Sequence, residues 1–119
     1  MSKLLTIVLV TLFLTITTAF AQDGVQSGKF AINTSTANYN LHKNSGDRSV
    51  TIEINFTKPF EIKPTVVLSV TQLDADKDTN VRYGVDASSV SRDGFTIKVS
   101  TWADSKIYGL GGQWIAHVE

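Results

Sequence analysis

The 119-residue sequence contains no cysteine. That absence excludes a disulfide-stapled miniprotein, a thiolate zinc site and a cysteine nucleophile. Net charge is missing too: 11 Lys+Arg face 11 Asp+Glu, so nothing supplies the basic excess needed to neutralise a polyanion. A nucleic-acid partner is excluded on that ground. Histidine is nearly absent, with only His42 in a polar stretch and His117 near the C-terminus. No G-x-S-x-G, H-E-x-x-H or glycine-rich phosphate loop occurs, and the acidic residues fall mostly in turn sequences. A glycosidase-type carboxylate pair therefore has little support, and the chain does not read as an enzyme. No cofactor is indicated.

Long apolar runs are confined to the start. Met1-Ser2-Lys3 is a short basic opening, Leu4 to Ala19 carries no charge, and Ala19-Phe20-Ala21 is an A-x-A cleavage site. Residues 1–21 read as a secretory signal peptide cut before Gln22, which makes the protein secreted and extracellular. A transmembrane anchor is the competing reading; the stretch is barely long enough, is broken by threonines and lacks a basic stop-transfer flank. Residues 22–119 then form a single domain with no membrane insertion. A staple-free domain of about a hundred residues buries a limited core, so self-association is a natural source of further stability.

Helical periodicity is also lacking; what is present is a period of two. Val50, Ile52, Ile54 and Phe56 alternate with polar residues, as do Phe95, Ile97 and Val99. Val81, Tyr83 and Val85 continue the pattern, and Ile107 to Val118 places Leu110, Trp114, Ala116 and Val118 on one face. Pro64 to Leu73 is apolar on both faces, which predicts a central or an interface strand. With Val25 to Ile32 these make six strands. Asn44-Ser-Gly-Asp47 and Arg92-Asp-Gly94 are turn signals, Asp74 to Asn80 reads as a charged hairpin loop, and Gly111-Gly112 marks a bulge or a close backbone approach. The pattern predicts an all-β, six-stranded antiparallel β-sandwich that associates, with a trimer expected from the resemblance described below.

Three features invite functional readings. Asp74, Asp76, Asp78 and Asn80 alternate as in the first half of a calcium loop, but Thr79 stands where a glycine is needed and Val85 where a bidentate glutamate is needed. No metal site is read there. Asn33-Thr-Ser and Asn55-Phe-Thr are N-glycosylation sequons, usable in a eukaryotic secretory pathway. Trp102 and Tyr108 flank the turn Ala103-Asp-Ser-Lys106, with Arg82 starting another strand. An arginine fork, a carboxylate acceptor and an aromatic wall suit a sugar, whose hydroxyls need paired donors and acceptors and whose C–H face packs on a ring. The plainer alternative makes Trp102 core and pairs Arg82 with a nearby acid.

From Val25-Gln-Ser-Gly-Lys29 onward the chain resembles the H-type lectins, the group typified by snail agglutinins and the C-terminal domain of slime-mould discoidins. The resemblance is carried by Pro64-Thr-Val-Val-Leu-Ser-Val-Thr-Gln-Leu-Asp74, Asn80-Val-Arg82, Val90-Ser-Arg-Asp-Gly-Phe95, Thr101-Trp102, Lys106-Ile-Tyr108 and Gln113-Trp-Ile115. It implies a six-stranded sandwich, a trimer or a pair of trimers, and metal-free binding of terminal galactose or N-acetylgalactosamine at subunit interfaces. The family's sugar-binding arginine falls on Arg82 and its aromatic wall on Trp102 and Tyr108; the acidic acceptor falls on Asp47, beside Gly46. Ala103 stands where the snail agglutinin has a histidine, which removes one sugar contact. Ile32, Val99 and Glu61 replace its cysteines, so any hexamer is noncovalent.

The sequence thus reads as a secreted lectin that agglutinates galactose-type glycans on glycoproteins or cell surfaces, with innate defence as the role the family suggests. The competing reading, favoured by Ala103, is a trimeric structural or matrix protein that has lost sugar binding.

Overall fold

The computed structural model describes residues 24–119, which form six strands and no helix. The expected leader at residues 1–21 lies outside the described residues. The strands are β1 (Val25–Asn33), β2 (Arg48–Asn55), β3 (Thr65–Ala75), β4 (Gly84–Ser88), β5 (Gly94–Thr101) and β6 (Ile107–His117). They build two three-stranded antiparallel sheets, ordered β1-β6-β3 and β2-β5-β4, which is the sandwich the alternation predicts.

Alternation decides what lies between the sheets. Val50, Phe95, Ile97 and Val99 point inward from one sheet and meet Phe30, Ile32, Leu110, Trp114 and Ala116 from the other. Ile32 and Val99 are both fully enclosed in this core. Phe56, Phe60, Phe95 and Trp114 form an aromatic cluster at one end, with Phe56 and Phe60 edge to face at 4.9 Å between centroids. The other end is closed by Tyr39, Leu41 and Ile107.

Several expectations need correction. The segment from Pro64 to Leu73 is not central: β3 is an edge strand, and β6 holds the middle of its sheet. Its second apolar face is instead on the outside, where Val67 is half exposed beside Ile115. The acidic segment is no hairpin, because β3 and β4 belong to different sheets and residues 76–83 cross from one to the other. Asp74 itself lies within β3.

The strand expected from Val81 starts only at Gly84. The Arg82 backbone is diverted to side chains, its N–H donating to Ser105 Oγ at 3.0 Å and its carbonyl accepting from Thr101 Oγ1 at 2.5 Å. A ladder cannot form where its donors and acceptors are already used.

The double glycine plays the part foreseen for it, with the bulge on the partner strand. Register slips between Val70 and Gln72 opposite Gly112 and Gly111, leaving Thr71 as the extra residue. A Cβ on Gly112 would sit 1.9 Å from the Ser69 carbonyl oxygen and 2.8 Å from the Phe30 ring, so the backbones approach through that position.

Candidate functional site

Because each of the connections β1–β2, β3–β4 and β5–β6 crosses between sheets at the same end, that end gathers three loops, residues 34–47, 76–83 and 102–106. Every residue assigned to a sugar site from the sequence lies there: Gly46, Asp47, Arg82, Trp102, Ala103 and Tyr108.

A buried arginine ties the loops together. Arg48, 7% exposed at the head of β2, donates from Nε to Gly46 O at 2.9 Å and from Nη1 to Lys43 O at 2.9 Å. Its Nη2 reaches Ala103 O at 3.0 Å, and the same carbonyl accepts the Gly46 N–H at 3.0 Å. Ala103 adopts a left-handed φ of 57° at this point, and Gly46 one of 84°; the alanine bears the strain that turns its carbonyl to two donors. Asp47 and Trp102 are thereby placed on two walls of one shallow depression of about 280 Å³, floored by Arg48 and Thr101. The indole of Trp102 is 42% exposed, so it is not core. The Asp47 carboxylate has no hydrogen-bond partner among the described residues.

Arg82 and Tyr108 stand outside that depression. Arg82 pairs with Asp104, Nη1 to Oδ1 at 2.5 Å, with both side chains partly exposed. Its segment is fixed by Ser105, which is fully buried and donates from Oγ to Asn80 O at 2.6 Å. Tyr108 donates its hydroxyl to Asp76 Oδ2 at 3.2 Å. The Asp78 backbone N–H, first, and the Tyr108 hydroxyl, with nearby lysines, hold the Asp76 carboxyl below the usual carboxylate range. Asp76, above all through its charge and also through that hydrogen bond, pushes the Tyr108 phenol up. His42 lies between Tyr39 and Tyr108, with centroids 5.4 Å and 6.4 Å away.

Arg48, Ser105 and Asp104 were not singled out in the sequence, and Asp76 only as part of the calcium-like alternation, not as a partner of Tyr108. The turn Asn44-Ser-Gly-Asp47 located the loop that Arg48 holds, but a lone arginine after a turn reads as surface charge. Among the described residues no group of three or more His, Asp or Glu could hold a metal ion, and no helix is long and apolar enough to cross a membrane.

Fold and site together define a small antiparallel β-sandwich with a cross-braced loop face carrying an aromatic, a carboxylate and an arginine. The family model of the H-type lectin domain matches residues 51–117, and the chain belongs to that family. A discoidin-1 polypeptide of Dictyostelium discoideum is 34% identical over 77 residues, which is 64% of this chain and 30% of that protein. A Fuscovulum blasticum protein described as ATP synthase subunits region ORF 7 is 31% identical over 72 residues, covering 60% of this chain and 63% of its own length. The chain therefore spans less than two thirds of either relative. In fold it is similar to discoidin II of Dictyostelium discoideum, with a TM-score of 0.69 at 24% identity over 77% of this chain and 35% of the other.

Proposed function

We propose that the protein is a secreted lectin that binds terminal galactose or N-acetylgalactosamine without a metal, and does so multivalently as a noncovalent trimer or hexamer. The depression lined by Asp47 and Trp102 carries the reading: a carboxylate without a partner among the described residues and an exposed indole share one shallow surface on a floor fixed by Arg48. The carboxylate accepts from sugar hydroxyls while the indole covers the apolar C–H face. Arg82 and Tyr108 lie outside the depression, which fits a site completed across a subunit boundary, with one protomer supplying Asp47 and its neighbour the arginine. Single sites of this shallow kind are weak, and several on one assembly raise avidity by about 10²-fold or more.

Calorimetric titration with N-acetylgalactosamine in EDTA tests the reading on the parent and on Arg82→Ala. Loss of the charge-assisted bonds costs about 1.5–3 kcal/mol per site, or roughly tenfold or more in affinity. Arg82→Lys restores only part, since a point charge cannot reproduce the fork. The Arg82–Asp104 pair favours the second reading, a structural trimer without sugar binding. On that reading Arg82→Ala lowers stability or assembly, and sedimentation beside calorimetry separates the two.

A further inference from the structure

The opposite end of the sandwich carries a second depression, of about 340 Å³, that shares no residue with the first. It opens between the free edges of the two sheets, where β1 begins and β2 ends. Its size falls within the range of small-molecule sites. Ser27, Asn55, Thr57, Pro59 and Trp114 contribute to its walls.

The cleft is built in advance. The Gln26 carboxamide donates to Lys58 O at 2.7 Å and accepts the Thr57 N–H at 3.1 Å, which clamps the segment after β2 against β1. Trp114, 7% exposed, is held by Phe56 and Phe95 at 5.8 Å and 5.4 Å between centroids. It also lies so close to Gly28 that a Cβ there would be 2.7 Å from the indole nitrogen. A buried tryptophan normally gives its N–H an acceptor; this one has none among the described residues. The side chains of Ser27, Asn55 and Thr57 likewise have no hydrogen-bond partner among the described residues. The cleft therefore offers an indole donor, two hydroxyls and a carboxamide, with Lys58 also on its wall, beside the flat apolar surfaces of Pro59 and the indole.

We infer that this cleft is a second saccharide-binding subsite, separate from the loop face. Hydroxyl and amide groups beside a ring and a proline match a ligand rich in hydroxyls and apolar on its C–H face. Asn55 is also the asparagine of a sequon, so the sugar has two sources of the same chemistry, a diffusing glycan or a chain attached to Asn55 itself.

The two tryptophans of the sequence provide separate reporters. Their indole N–H resonances in the ¹⁵N-labelled protein are assigned with Trp102→Phe. Unglycosylated protein is then titrated with galactose, N-acetylgalactosamine and N-acetylglucosamine in turn, up to about 50 mM, enough to fill a millimolar site. A saturable shift of the Trp114 resonance supports a diffusing ligand. Asn55→Ala should weaken that response about tenfold, as loss of a hydrogen-bonding partner does, and leave the Trp102 response intact; an unweakened Trp114 response overturns the assignment. For the attached source, protein from a eukaryotic secretory host is compared before and after enzymatic glycan removal, and a Trp114 shift tied to the Asn55 glycan supports it. If Trp114 moves in neither arm the subsite does not exist. Movement of Trp102 alone then leaves the loop-face lectin reading standing, whereas movement of Trp114 alone overturns that reading and keeps this one.

Discussion

Arg48 is the side chain on which the loop face depends, and it reaches three loop carbonyls with hydrogen bonds of 2.9–3.0 Å. Replacing it by alanine removes three charge-assisted bonds and takes the guanidinium from the Lys43 and Gly46 carbonyls, while the Ala103 carbonyl keeps the Gly46 N–H. Arg48→Ala should cost about 3 kcal/mol or more in a denaturant titration, and Arg48→Lys should recover little, because one ammonium cannot serve acceptors spread around a planar fork. Tyr39 gives a second residue-level test. Burial, first, and the charge of Asp74 push its phenol from 10.0 up to about 12, and its hydroxyl donates to the Ile107 carbonyl. A raised folded value means that the neutral form is favoured in the fold. Stability from this group is whole below pH 10 and is lost as pH rises towards about 12, because the unfolded chain ionises first. Chemical denaturation at a series of alkaline pH values should show that loss, and Tyr39→Phe should remove its contribution. The residues of the proposed site stood out in the sequence because arginine, tryptophan and tyrosine sat beside turns, and the fold brings them to one end. Arg48 did not stand out, since its role depends on carbonyls from residues 43, 46 and 103 meeting at one point.

At the scale of the element, period-two alternation located β2, β4, β5 and β6 to within a few residues, a run apolar on both faces located β3, and β1 was counted in beside them. The pattern could not place β3 in its sheet. Two apolar faces fit a central strand and an edge strand covered by a neighbour equally well, and the pairing of β6 with both β1 and β3 decides the matter. Nor could it foresee the late start of β4, because Ser105 and Thr101, which take up the Arg82 backbone, lie about twenty positions away. The glycine pair was legible as a constraint, and its cause is now physical. Gly112→Ala would drive a methyl into the Ser69 carbonyl and the Phe30 ring, in the strand that both neighbours share. A cost of about 1–3 kcal/mol is expected from such overpacking, read as a lowered denaturation midpoint. Gly46→Ala meets no atom within 4 Å, so any cost there comes from its φ of 84° alone.

For the whole molecule, the proposed assembly has a physical candidate in the outer face of the β1-β6-β3 sheet. Ile115 and Val67 pair across β6 and β3 on that face, 46% and 52% exposed. Apolar side chains standing together in this way are what the proposed assembly would cover. Ile115→Lys should shift the sedimentation profile from trimer or hexamer to monomer with the sandwich intact by circular dichroism, and reductant should have no effect on the parent. A parent that sediments as a monomer at micromolar concentration removes the proposed multivalency.

The pairing of β1 with β6 has a further consequence, in time rather than in space. The last of the six strands is the middle of its sheet, so β1 and β3 have no common neighbour until Ile107–His117 has been made. Four of the five connections cross between sheets, leaving β4–β5 as the sole hairpin joining consecutive strands among the described residues. Nearly every ladder must close a long loop before it repays the entropy, which places the chain among slow, high-contact-order folders that take on the order of milliseconds to seconds. During synthesis the β2-β5-β4 sheet can pair first. Its inner face of Val50, Ile97 and Val99 then stays uncovered until β6 arrives to close the opposite sheet over it.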